Sequence, residues 1–289
     1  VRLPHPGYSS GTGIAVSDNN VYVSSSGVFA GNNVTFWHNG VGVNLADPTI
    51  TYPTAMSITL SGNDIYTAGS AYINGFEKFV PIYWKNQDKA NKIETYSYNR
   101  GEGRGITVSG NDVYITGTTA DIASGLGSSP PCYWKNGVPT FLYLSSLSSI
   151  KGIAKSIYIS GNDIHVVGEV YQIGSGSPLG WAVYWKNGVA TELAPPTQVS
   201  EANSITVVGD DVYIAGGVAG ADRLLKATYW KNRVPVTLDT KYSVANSITV
   251  YDNDIYVAGN RGVDTALYWK NSSPVILGRG RANAIVVRK

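Results

Sequence analysis

Residues 57–66 read Ser-Ile-Thr-Leu-Ser-Gly-Asn-Asp-Ile-Tyr, and residues 83–86 read Tyr-Trp-Lys-Asn. The first stretch is two short runs of alternating β-formers hinged on Gly62-Asn63, the pattern of a tight antiparallel turn. The second closes another alternating run and leads into a turn. Both recur along the chain. The first returns at 105–114, 156–165, 204–213 and 247–256, and in weaker form at 13–22. The second is anchored by Trp37, Trp84, Trp134, Trp185, Trp230 and Trp269, with His38 in place of Lys in the first copy.

Each copy thus holds four short strands. The first is typified by Ile58-Thr59-Leu60 and the second by Ile65-Tyr66-Thr67-Ala68-Gly69. The third ends in Tyr-Trp-Lys, and the fourth follows an Asn-Gly type turn such as Asn136-Gly137. Four strands in about 40–45 residues is the blade of a propeller. Such a sheet buries both faces only by packing on neighbours. A β-solenoid has shorter coils and fewer hairpins. The expected fold is therefore all-β: a six-bladed β-propeller, four antiparallel strands per blade, in a single domain over 1–289. The units are 13–55, 56–103, 104–154, 155–202, 203–245 and 246–282. A seventh first-strand-like segment, 283–289, is expected to close the ring, with the termini meeting in one blade.

The motifs Tyr-Trp-Lys-Asn-Gly and Ser-Gly-Asn-Asp-Ile-Tyr resemble a tandem-repeat propeller family of secreted and lipoprotein-like bacterial proteins. They are also similar to the broader β-propeller repeat. The likeness runs from about Gly13 to Lys289. It implies fold and export from a bacterial cell, and it brings no catalytic residues with it.

Composition agrees with turn-rich β structure. Of 289 residues, 33 are Gly and 20 are Tyr, and charged residues make up 15%, against about 25% in an average domain. A net charge of +2 sets up no field for nucleic acid. No apolar run reaches membrane-spanning length, so no membrane insertion is expected. The single Cys132 rules out an internal disulfide and a thiol-rich metal site. Low charge with abundant Tyr, Ser, Asn and Gly points to an extracellular, periplasmic or cell-surface location.

Antiparallel strands alternate in direction, so the short turns gather on one face of the blades and the variable connections on the other. Function tends to sit on loops held by a rigid scaffold. At the entry to each first strand one position changes type from copy to copy: Thr12, Met56, Arg104, Lys155, Asn203, Asn246 and Asn283. Arg104 and Lys155 are expected to make one side of a channel mouth cationic, with the three Asn supplying amides. Trp181 falls outside the repeat. With Tyr171, Tyr72 and Phe76 it is expected as a surface anchor on the loop face. The repeated Trp residues read as packing between blades, or, in a lectin, as aromatic sites between them.

No catalytic residues, metal or cofactor are expected. His38 and His165 replace residues of the structural repeat. Asp64, Asp112, Asp163, Asp211 and Asp254 suit tight turns better than calcium, which takes six to eight oxygens. The expectation is a monomeric, non-enzymatic binding or scaffold propeller that meets a protein or glycan on its loop face. A multivalent lectin is one alternative. A glycan hydrolase or lyase is another, using a carboxylate pair from Glu77, Glu102, Glu169 and Glu201 about 5–10 Å apart.

Overall fold

The computed structural model describes residues 9–27, 35–45, 47–73, 77–95, 100–120, 129–144, 150–172 and 180–288. Phe76 lies outside them. The chain forms two compact units, Val1–Phe141 and Leu142–Lys289.

The first unit opens with β1 (Ser9–Ser17), β2 (Asn20–Gly27), β3 (Thr35–His38) and β4 (Val41–Asn44), a four-stranded antiparallel meander. Next come β5 (Ile50–Ser61), β6 (Asp64–Ile73), β7 (Lys78–Lys85) and the short β8 (Asn91–Lys92), then β9 (Arg100–Ser109), β10 (Asp112–Ala120), β11 (Pro131–Lys135) and β12 (Val138–Phe141). These last two meanders share one eight-stranded sheet, because a single parallel pairing, Phe79 with Arg100, joins β7 to β9. The second unit holds three separate four-stranded meanders. They are β13 (Ile150–Ser160), β14 (Asp163–Gln172), β15 (Gly180–Lys186) and β16 (Val189–Glu192); β17 (Ser200–Val208), β18 (Asp211–Ala219), β19 (Leu225–Lys231) and β20 (Val234–Thr237); and β21 (Ser243–Tyr251), β22 (Asp254–Arg261), β23 (Thr265–Lys270) and β24 (Ser273–Arg279). The repeat predicts six separate sheets. Four stand alone, and the other two meanders are joined.

Within each unit the first strands lie side by side, β1 with β5 and β5 with β9, then β13 with β17 and β17 with β21. The core forms between consecutive meanders. Tyr213, Tyr229 and Leu238 of one meander meet Ile248, Val257 and Trp269 of the next. Tyr184 and Leu193 meet Ile205, Ile214 and Trp230 in the same manner. Trp84, Trp134, Trp185, Trp230 and Trp269 are at most 1% exposed, and Trp37 is 4% exposed. The repeated Trp is therefore packing. No ring face is open to stack on a sugar, which corrects the idea of repeated aromatic sites.

The repeated polar residues also have one job. Asn86 Oδ1 accepts the Ile65 N–H, its Nδ2 donates to Asp64 Oδ1, and Lys85 Nζ pairs with Asp64 Oδ2 at 2.7 Å. The same clasp ties the first turn to the second at Asp112, Asp163, Asp211 and Asp254. In each, the Lys and Asn hold the aspartate pKa below its ordinary value. The drifted first copy keeps the device with Asn20, His38 and Asn39.

One expectation changes. Much of the connection between the second and third strands is extended ladder, since β6 and β7 stay paired out to Ile73 and Lys78. The first sheet takes its first strand from its own β1. Among the described residues no helix is long and apolar enough to cross a membrane.

Candidate functional site: the bulge residues of the loop face

The glycine that ends each second-strand motif decides where the variable side chains go. A Cβ on Gly216 would lie 1.9 Å from the Glu201 carbonyl oxygen, and one on Gly168 would lie 2.0 Å from that of Ile153. Gly69, Gly117 and Gly259 face opposing carbonyls as closely. Only glycine lets the first strand approach this near, and there the strand bulges. The register skips one residue between Ala154 and Ser156, Ala202 and Ser204, and Ala245 and Ser247. The residues left out are Lys155, Asn203 and Asn246. In the first unit the same irregularity falls on Thr12, Met56 and Arg104, with Gly105 beside the last. A bulge re-aims its side chain and leaves the ladder locally open. The positions that vary in sequence are therefore those that the backbone singles out.

In the second unit these residues form a connected polar cluster. Lys155 Nζ lies 3.3 Å from Glu169 Oε2, 3.4 Å from Glu201 Oε2 and 2.9 Å from Asn203 Oδ1. The ammonium donates to Glu201 and Asn203 and pairs with Glu169 by charge. Asn203 Nδ2 donates to Glu201 Oε1 and to the Ala245 carbonyl. Asn246 Nδ2 donates to Asn260 Oδ1 and to the Ala282 carbonyl. Tyr171 joins through Glu169. Its phenol is pushed well above the ordinary tyrosine range, first by burial and then by the Glu169 charge and hydrogen bond.

The first unit arranges its bulges differently. Arg104 pairs with Glu102 at 2.8 Å. Thr12 Oγ1 donates to the Ala55 carbonyl at 2.8 Å. Tyr72 packs on Phe79 with centroids 4.7 Å apart, and Arg100 lies over the Phe79 ring. Arg104 and Lys155 are thus each met by carboxylates, so neither makes a simple cationic rim.

Trp181 requires a correction. It lies in β15 opposite Val170, is 3% exposed, and has its indole nitrogen out of solvent. A Trp beside a Gly-Ser-rich segment reads as a loop anchor, but the ladder of β14 and β15 extends far enough to bury it. Sequence reasoning also separated Glu169 and Glu201 from Lys155. The available signal was spacing: Glu201 stands two before Asn203, as Glu102 stands two before Arg104, and alternate residues share a strand face. Glu77 is exposed at the turn before β7. Asn283 has a partner in the structure, but its register with the bulge series is a matter of sequence alone.

The connection into β17 and the one leaving β18 line an open pocket of about 580 Å³, with Thr197, Gln198, Val199, Ala219 and Arg223 among its residues. Gln198 Nε2 braces it by donating to the Ala219 carbonyl at 2.7 Å. Arg223 is held in the left-handed region at φ 61. Among the described residues no cluster of His, Cys, Asp and Glu has the makings of a metal site.

No family model and no curated protein matches the chain. Solved structures do. The Trypanosoma rangeli sialidase in complex with the inhibitor DANA aligns with TM-score 0.52 at 8% identity, covering 93% of this chain and 54% of that one. The same enzyme with sialic acid gives 0.51 at 9%, covering 91% and 52%. A computationally designed protein, Ika8, aligns with TM-score 0.49 at 13% identity over 98% of this chain and 92% of that one. This chain spans about half the length of the sialidase. At such identities the likeness is one of fold, and the fold is an all-β propeller type built of four-stranded antiparallel sheets.

Proposed function

We propose that this protein is an exported, non-catalytic binding propeller of six blades, the eight-stranded sheet counting as two, that engages a glycan through the loop face of its second unit. The observation that carries this reading is the cluster that Glu169, Glu201 and Tyr171 form around the bulge residues Lys155 and Asn203, close in sequence to the connections that line an open pocket. Carboxylates and amides at fixed spacing suit the paired hydroxyls of a sugar, accepting and donating together. With one ammonium against two carboxylates, the cluster is net negative and fits a neutral polyol better than an anion. A protein partner would favour a wider apolar patch.

The experiment is a glycan array with the wild-type chain and with Glu201→Gln and Asn203→Ala. A bound glycan that both substitutions weaken about tenfold or more supports the reading. A glycan bound equally by all three, or capture of a protein with no glycan retained, removes it.

One observation favours a second reading. Glu169 and Glu201 both lie against one ammonium, so their oxygens are within about 7 Å, inside the span of paired carboxylates in glycosidases. Hydrolysis needs one of the two as proton donor, whereas a lysine shared between them suits two carboxylates. Reducing-sugar release lost in both Glu169→Gln and Glu201→Gln would make the protein an enzyme.

A further inference from the structure

Two departures from the repeat meet on the turn face of the second unit, at the other end of the sheets from the loop-face cluster. His165 stands where the other copies carry Tyr22, Tyr66, Tyr114, Tyr213 and Tyr256. The last four of those rings each lie under the lysine of their own clasp. His165 instead pairs with Tyr184, its Nδ1 lying 2.7 Å from the hydroxyl. The second departure is Arg233. It occupies the turn position that is Gly40, Gly137 and Gly188 in three other copies. Its φ is 71, a conformation that glycine adopts freely and other residues rarely. Backbone strain of this kind gathers at ligand sites.

Tyr184 and Arg233 line one open pocket of about 570 Å³, together with Lys186, Val189, Thr191 and Val212. β15 and β16 supply one wall, and the start of β18 with the turn into β20 supplies the other. The size is that of small-molecule sites, about 300–1,000 Å³. Val189 and Val212 make part of the wall apolar, and Val189 is 71% exposed. Burial, and then the Asp163 charge, push the Tyr184 phenol up to about 12, while Arg233 acts on it in the opposite direction. The tyrosine is therefore a neutral hydroxyl at ordinary pH. The nearby charges cancel except for one. Lys186 is held by Asp163 at 2.6 Å, and Asp211, tied to Asn232, is met by Lys231 at 2.8 Å. Glu192, next to Thr191 in β16, does not line the pocket. Among the described residues Arg233 has no carboxylate partner, so the wall carries one unmatched positive charge.

We propose that this pocket is a second ligand site, separate from the loop-face cluster, and that it takes a small organic acid: a carboxylate on a hydrocarbon body. The planar fork of Arg233 receives the carboxylate through two parallel N–H bonds. Val189 and Val212 lie against the hydrocarbon. His165 fixes the Tyr184 ring in the wall between them. Lys186 is already engaged by Asp163, so it adds only longer-range attraction. The two sites are opposite in sign. On the loop face one ammonium meets two carboxylates, and on the turn face one guanidinium meets none.

The test titrates the whole chain with benzoate at millimolar concentration and follows backbone amide shifts by NMR. The expected result is saturable movement at Val189, Thr191, Val212 and Arg233. Benzamide, of the same shape without the charge, should bind at least about tenfold more weakly. Arg233→Gly should weaken benzoate by at least about tenfold. That variant restores the glycine of the other turns, so its unfolding midpoint should stay within about 2 °C of wild type or rise. Val189→Ser, at an exposed position, should weaken benzoate about threefold and leave the weaker binding of inorganic phosphate unchanged. Benzoate bound equally by wild type and Arg233→Gly overturns the proposal, as does benzamide bound as tightly as benzoate. Shifts centred away from these four residues, or none at all, also overturn it. Phosphate bound as tightly as benzoate would reduce the site to a general anion contact and overturn the assignment to an organic acid.

Discussion

Lys155→Met keeps most of the side-chain stem and removes the charge. Lys155, Glu169 and Glu201 side chains are 21%, 16% and 22% exposed, so the trio is mostly out of water without being sealed. Exposed ion pairs contribute about 0–1 kcal/mol, and breaking a fully buried one costs about 3–5 kcal/mol. This site lies between the limits. The ammonium serves two carboxylates and one amide, so its loss leaves two like charges facing each other and Asn203 Oδ1 short of a donor. The expected loss is about 1.5–3 kcal/mol at neutral pH. Urea denaturation followed by tryptophan fluorescence reads it, since the second unit holds Trp181, Trp185, Trp230 and Trp269. Adding Glu201→Gln should recover part of the loss, with a coupling of about 0.7 kcal/mol or more in the double-mutant cycle. A Lys155→Met variant within about 0.5 kcal/mol of wild type, with no coupling, would refute the argument and reduce the cluster to an ordinary surface pair.

Other substitutions probe the frame around the site. Gly216→Ala drives a Cβ into the Glu201 carbonyl and should cost at least about 1–3 kcal/mol by thermal unfolding, whereas a harmless Gly216→Ala would mean that the bulge can move. Leu238→Ala should cost about 2–5 kcal/mol by thermal unfolding, since Leu238 is buried against Ile248 and Trp269; a loss below about 0.5 kcal/mol would mean that this seam between meanders carries little of the stability. His165 is 3% exposed, with Nδ1 2.7 Å from the Tyr184 hydroxyl, and its pKa is lowered from 6.5, mainly by burial and then by Lys186. The fold therefore favours the neutral ring. That stability is present above the ordinary histidine pKa and is lost as pH falls below it towards the depressed value. His165→Ala should remove this part of the pH dependence, and an unchanged slope between pH 7 and 5 would exclude the assignment.

The repeat was legible because each copy spells out its local chemistry. Asn-Gly and Gly-Asn mark turns wherever they stand, alternation of Ile, Val and Tyr marks strands, and a Trp that returns in every copy marks shared packing. These signals are short-range, so the sequence by itself determined the four-stranded unit, its sixfold recurrence, and which position of each first strand varies. It determined less about the site. That Lys155, Asn203 and Asn246 are bulge residues follows from how closely Gly168, Gly216 and Gly259 let the opposing carbonyl approach, a distance that only the paired strands define. That Glu169 and Glu201 converge on Lys155 depends on the packing of β13, β14 and β17, which brings residues 14 and 46 positions away onto one ammonium. Trp181 was misread because burial belongs to the ladder around it and not to its neighbours in sequence.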